Sequence, residues 1–179
     1  AMELGTMLLE KSIPSEDKQN MTFYKIFKDD EIMNDIFEKF IFNYYRIHFE
    51  YNVVRRKYIW DLTPINESDY RLIPTMNTDI EIETLNDKFI IDAKYYQSAF
   101  ANNFGRKKFI SGHMYQISSY MKKQNHSYKK LKGILMYPSN NYDFYEQFID
   151  ENNNILSFKT INLAKDWSEI RKDLDEIFI

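Results

Sequence analysis

Asp79, Asp92 and Lys94 have the residue types and the spacing for metal-assisted hydrolysis of a phosphate ester. Asp92 and Lys94 stand two apart in KFIIDAKYY (residues 88–96), a β-prone run, so on a strand both side chains leave one face. The preceding TDIEIET (residues 78–84) alternates polar and apolar with period two, and Asn86-Asp87 between the runs is turn chemistry. A hairpin follows. A turn centred on Asn86 and Asp87 sets Asp79 opposite Lys94 and Glu81 opposite Asp92. Two carboxylates and an amine then converge. Such oxygen ligands suit Mg²⁺, with Mn²⁺ as its substitute, because Mg²⁺ takes one or two protein carboxylates and fills its shell with water and phosphate oxygens. The ion would lower the pKa of a bound water, and a lysine beside it could orient that water or stabilise developing charge.

The bland alternative is that these are solvated or cross-strand-paired side chains. Burial weighs against it: Asp92 lies inside Phe89-Ile90-Ile91-Asp92-Ala93, a run with the character of a central strand. Ionised groups are rarely placed there without a compensating partner or metal. Gln116 and Tyr120, four apart in a helical segment, share a face that His113 adjoins. A helix-surface role is the ordinary reading of that pair, and a structural role that of His113. Glu38 flanks the apolar stripe of an earlier helix, where an acid normally faces solvent.

The elements that must position these groups follow from periodicity. Ile32, Met33, Ile36, Phe37, Phe40, Ile41 and Tyr44 repeat at helical spacing over residues 29–49, with Asp29 or Asp30 as N-cap. NVVRRKYIW (residues 52–60) predicts a strand, and Pro64 and Pro74 bracket a loop. After the hairpin comes a polar loop over 97–106, then a helix over 107–124 whose buried stripe is Ile110, Met114, Ile117 and Met121. KGILMYP (residues 132–138) is a short buried strand. Strand, helix and strand in this order predict a crossover with a parallel pair. Residues 144–148 and 155–163 predict peripheral strands, and 166–177 a closing helix. The fold class is α/β with a central mixed β-sheet flanked by helices, as one domain over 29–179 after a lead-in of 1–28.

Composition bounds the function. The absence of cysteine excludes disulfides, zinc-thiolate sites and thiol nucleophiles. No run approaches the ~18 apolar residues of a membrane helix, and no signal peptide is visible, so a cytoplasmic location with no membrane partner is expected. A net charge of −3 argues against a DNA-coating protein but not against a nuclease, whose acids gather at a metal. No Walker-type phosphate loop occurs. Aromatic residues make up 17% of the chain, enough to supply a ring-packed core. Arg55, Arg56, Lys57, Arg106, Lys107 and Lys108, with His113, are candidate DNA contacts, although a solvated charge face is the ordinary role of any one basic residue.

A helical Glu, then Asp, then Asp-x-Lys on a hairpin, then Gln-x-x-x-Tyr on a helix resembles the PD-(D/E)XK nucleases with a QxxxY motif. The wording is closer still to the McrC family, the nuclease subunits of McrBC-type 5-methylcytosine restriction systems. MNTDIEI (76–82), IIDAKYY (90–96), KKFISGHMYQISSY (107–120), GILMYP (133–138) and DIFEKFIFNYY (35–45) carry this resemblance, which covers most of the chain. It implies a PD-(D/E)XK restriction-endonuclease-like fold and a type IV or related endodeoxyribonuclease. Asp79 and Asp92 become metal ligands, Lys94 the catalytic lysine and Glu38 a supporting acid. Gln116 and Tyr120 would position the lysine, the water or the DNA backbone. The substrate implied is double-stranded DNA, and the partner a McrB-like AAA+ GTPase. Too few residues precede Asp29 for the family's partner-docking region, so that region is expected to be absent here. One departure is Thr78, which stands where the superfamily's name has proline. With one D…DxK set per chain, a double-strand break would need two copies, brought together as a transient dimer or through two partner complexes meeting on DNA. The rival readings are a stand-alone repair or phage-type nuclease, and an inactive nuclease-fold module that only binds or assembles.

Overall fold

A computed structural model describes residues 29–96, 99–103, 106–124, 129–140 and 142–179. The lead-in expected over 1–28 lies outside the described residues. Helix α1 (Asp30–His48) starts on Asp29, whose Oδ1 accepts from the N–H groups of Glu31 and Ile32, each at 3.1 Å. Its buried stripe is narrower than the sequence suggests: Met33, Phe37, Ile41, Tyr44 and Tyr45 face inward, whereas Ile32 and Ile36 are exposed.

Six strands make a mixed sheet in the order β1-β4-β5-β8-β10-β9. They are β1 (Asn52–Val54), β4 (Ile80–Glu83), β5 (Asp87–Ala93), β8 (Lys130–Pro138), β9 (Tyr145–Ile149) and β10 (Ile155–Ile161). Strands β5 and β8 run parallel, joined through helix α2 (Ser111–Lys122), as the crossover reading requires. Strand β10 is no peripheral element. It lies between β8 and β9, parallel to the first and antiparallel to the second, and its last residues are buried.

Two expectations fail because short two-stranded ladders form where longer elements were expected. The strand expected over 52–60 breaks at Arg55 and Arg56, where Thr78 takes both backbone groups of Arg56. Beyond the break, β2 (Lys57–Tyr58) leaves the main sheet and pairs with β3 (Met76–Asn77). The polar loop and helix start expected over 97–110 contain a second small ladder, β6 (Phe100–Asn103) with β7 (Arg106–Phe109). Phe109 stacks on Phe158 of β10 at 3.7 Å between ring centroids, and that apolar anchor holds residues 106–109 extended until α2 begins.

Helices cover both faces of the sheet. Phe37, Ile41, Tyr44 and Tyr45 of α1 pack with Ile80, Ile82, Phe89, Ile91 and Ala93, and Ile170 and Leu174 of α3 (Trp167–Asp175) close the same side. Ile117 and Tyr120 of α2 pack with Ile90, Leu135, Tyr137 and Phe158 on the other. Gly133 keeps that side open, because a Cβ there would meet Met121 Sδ at 2.3 Å. Among the described residues no helix is long and apolar enough to cross a membrane.

Candidate active site

Strands β4 and β5 pair Ile80 with Ile91, Glu81 with Ile90, Ile82 with Phe89 and Glu83 with Lys88. The turn is therefore centred on Leu85 and Asn86, one residue earlier than Asn86-Asp87. Asp87 closes it, its N–H donating to Thr84 Oγ1 at 3.0 Å and its carbonyl accepting from the Thr84 N–H at 3.0 Å. The expected register is thus corrected by two residues: Asp79 falls beside Asp92, not Lys94, and Glu81 falls opposite Ile90, not Asp92. A two-residue shift leaves every side chain on its face, so the acids still meet.

Asp92 is fully buried at the end of β5. Lys94 follows directly, held by its N–H to the Met136 carbonyl at 2.8 Å, and the next N–H, from Tyr95, donates to Asn34 Oδ1 of α1 at 2.9 Å. Both sides of Lys94 are thereby pinned. Its Nζ stands 3.0 Å from Asp92 Oδ1 and 2.9 Å from Oδ2. Only the contact to Oδ1 has hydrogen-bond geometry, and Oδ2 is left buried without a hydrogen-bond partner. Asp79, just before β4, is fixed by its Oδ2, which accepts the N–H of Ala93 at 3.0 Å.

The electrostatics follow from crowding. Burial pushes the Asp79 carboxyl up to about 7, and the charge of Asp92 adds to the rise. Asp92 is raised as well, by burial against the pull of Lys94. Burial alone would lower the Lys94 ammonium, but Asp92 and Asp79 outweigh it and the amine is held charged. Glu38 of α1 is also raised, first by burial and then by Asp79. Arg55 opposes that rise, with its Nη2 2.8 Å from Glu38 Oε1 and its guanidinium 4.7 Å from the Phe42 ring centroid. Three acids thus face two cations, leaving surplus negative charge in a partly dry place.

That surplus tests whether a divalent ion fits. The unsatisfied Asp92 Oδ2 and the neighbouring Asp79 carboxylate offer the hard oxygen donors that Mg²⁺ prefers. Among the described residues no group of three or more His, Cys, Asp and Glu side chains gathers to hold an ion. The donor set suits an ion that keeps most of its shell as water and substrate oxygens, and does not suit zinc.

Helix α2 supplies the next layer. Gln116 Nε2 donates to the Tyr120 hydroxyl at 2.7 Å, and the phenol is buried within the fields of Asp92, Asp79 and Lys94. His113 belongs to the interior. Its Nδ1 is 3.0 Å from the Tyr137 hydroxyl, its ring is 4.7 Å from that of Tyr96, and burial then Lys94 push its pKa down to about 4. At that pKa it is uncharged near neutral pH, and it is buried between Tyr96 and Tyr137.

The candidate basic residues divide. Arg55 and Arg56 are engaged by Glu38 and Glu81, whereas Lys57, Lys107 and Lys108 are exposed. Arg106 lies on β7, and its side chain is outside the described residues. Asn34 and Tyr58 were not legible as part of the site, nor were the contacts that Thr78 and Glu81 make there. The alternation of IEIE looks like an outward polar face, yet Glu81 is buried with its Oε1 2.8 Å from the Tyr58 hydroxyl. A cleft near Met121, Gln124, Leu131 and Asn154 lies elsewhere and touches none of the acids of the site.

The chain matches the family model of McrBC 5-methylcytosine restriction system components over residues 1–138. It is also 30% identical over 175 residues to the type IV methyl-directed restriction enzyme EcoKMcrBC of Escherichia coli (strain K12). That alignment covers 96% of this chain and 49% of the relative, so the chain spans about half the length of the curated relative it matches.

Proposed function

This chain belongs to the family of McrBC 5-methylcytosine restriction system components, and from that premise we propose that it is a metal-dependent endonuclease unit hydrolysing phosphodiester bonds of double-stranded DNA. The observation that carries this reading is the cluster of half-buried Asp79 and Lys94 around fully buried Asp92, whose Oδ2 has no hydrogen-bond partner. Asp79 and Asp92 would hold Mg²⁺ or Mn²⁺, which when bound supplies a more acidic water and offsets charge on the phosphoryl group.

The protein's own groups do the rest. Lys94, kept protonated by the two acids, donates to the attacking water or to a phosphoryl oxygen as charge grows there. Water adds to phosphorus, one P–O ester bond breaks, and the proton the water loses ends on the departing oxygen, giving a hydroxyl and a phosphomonoester. Glu38 adds a third acid at the rim, and Gln116 orients the Tyr120 phenol beside the ammonium. Lys57, Lys107 and Lys108, with Arg55 and Arg106, are the proposed phosphate contacts. Target choice would come from a McrB-like AAA+ GTPase.

One cluster acts on one scissile phosphate, so a lone chain cuts one strand per encounter and a double-strand break needs two copies. The test is supercoiled plasmid with Mg²⁺, with and without the GTPase partner, following open-circle and linear forms. Metal-dependent nicking before linearisation is expected from the chain alone, with acceleration by the partner only where the docking region is supplied. No metal-dependent cleavage with the partner present overturns the nuclease reading, and linear product without an open-circle intermediate overturns the one-strand argument.

A further inference from the structure

We propose that Glu81, acting through Thr78, is a positioning residue that fixes the Asp79 carboxylate beside Asp92. Thr78 joins β3 to β4 and immediately precedes Asp79. Its N–H donates to the Arg56 carbonyl at 2.9 Å. Its hydroxyl accepts the Arg56 N–H at 3.0 Å and donates to Glu81 Oε1 at 3.1 Å. Glu81 closes the ring, since its Oε2 lies 3.2 Å from Arg56 Nε. Arg56 is thus held at its backbone by Thr78 and at its guanidinium by Glu81.

The clamp reaches the other half of the site. Glu81 Oε1 also accepts from the Tyr58 hydroxyl, which receives Gln124 Nε2 at 3.2 Å. Gln124 Nε2 donates in turn to the carbonyl of Tyr120 at 3.0 Å. The β2–β3 pair, strand β4 and the end of α2 therefore meet on one carboxylate that is 2% exposed. Asp79 stands at the bend just before β4 and Glu81 lies within β4, so the backbone from Thr78 to Glu81 links the clamp to the acid. Arg56 and Lys88 (Nζ at 3.3 Å) meet the charge of Glu81 as ion pairs, although its Oε2, like Asp92 Oδ2, has no hydrogen-bond partner.

A proline before the first acid would restrict the backbone through its ring and would have no N–H to give. Thr78 uses its N–H, so here the restraint comes from hydrogen bonds that end on Glu81. The catalytic consequence of this clamp rests on the nuclease reading above, but the placement itself does not.

The Ala93 N–H, which donates to Asp79 Oδ2, reports that placement without metal or DNA. The experiment is amide hydrogen exchange by NMR on the full metal-free chain, comparing wild type with Thr78→Val, Thr78→Ser and Glu81→Gln. Ala93 should exchange about tenfold faster in Thr78→Val and Glu81→Gln, relative to amides in the middle of β8, and near the wild-type rate in Thr78→Ser. Calorimetric Mn²⁺ affinity should fall about 10–100-fold in the same two variants and recover in Thr78→Ser. Unchanged Ala93 protection in Thr78→Val overturns the proposal, and this near-isosteric change carries the test if Glu81→Gln fails to fold. Lost protection in a chain whose wild type neither binds Mn²⁺ nor nicks DNA leaves the clamp standing and removes the nuclease reading instead.

Discussion

Lys94 follows β5 and Lys159 lies within β10, and both amines are withdrawn from water, with side-chain exposures of 13% and 3%. Lys159 meets one acid, Glu176, whose carboxylate is 49% exposed, and sits 4.1 Å from the ring centroid of Tyr145. Lys94 meets two acids, and one oxygen of Asp92 has no hydrogen-bond partner. The first arrangement balances its charges and ties the C-terminal segment to the sheet. The second leaves negative charge over. A balanced buried pair is a structural device, whereas an unbalanced cluster costs stability, which the proposed cation would offset.

Removing an acid from each region separates the two most sharply. Asp92→Asn should lower nicking at least about a hundredfold, because several kcal/mol of charge stabilisation depend on the site's cation. The metal-free variant should melt no lower than wild type, since repulsion with Asp79 and Glu38 is relieved. Wild-type nicking, or a variant that simply unfolds, would erase the contrast with the Lys159 region.

Lys94→Ala is expected to reduce turnover about 10²-fold while leaving Mn²⁺ affinity nearly intact, because an ammonium repels the ion and aids only the reaction. Calorimetry showing lost Mn²⁺ binding would instead make Lys94 a scaffold for Asp92, as Lys159 is for Glu176.

A pH series sharpens the comparison further. Folded Asp79 holds its proton up to about 7, above the ordinary carboxylate range. In the unfolded chain that proton is gone above about 4. Stability contributed by protonated Asp79 is thus present below about pH 4 and is lost as pH rises toward 7. Mn²⁺ competes with the same proton, so affinity should rise up to about tenfold per pH unit below 7 and level off above it. Thermal melts and titrations across that window check both directions, and a flat affinity profile would contradict the crowded-acid picture.

The smallest effect belongs to the balanced region. Glu176→Ala should cost about 1–2 kcal/mol, read as a melting point lower by a few degrees, with nicking unchanged. A loss of activity comparable to that of Asp92→Asn would show that the two regions are coupled.

Much of this was legible from residue order. The period of two in residues 78–84 and 88–96 put Asp79, Asp92 and Lys94 on one face, and the apolar run around Asp92 signalled its burial. Helical spacing revealed α1 and α2, and the four-residue step from Gln116 to Tyr120 became a 2.7 Å hydrogen bond. What could not be read were contacts between segments distant in sequence. Thr78 finds Arg56 across 22 positions, and Tyr95 finds Asn34 across 61. Those partners broke the strand expected over 52–60, buried Glu81 and pinned Lys94. The turn centre was also decided in the folded chain, where Thr84 and Asp87 close on each other around Leu85 and Asn86. The sequence by itself determined which side chains share a face, because strand and helix periods are local properties of the backbone. Tertiary structure decided which of them touch and which stay unsatisfied, because that depends on what packs over the face and on where the register settles.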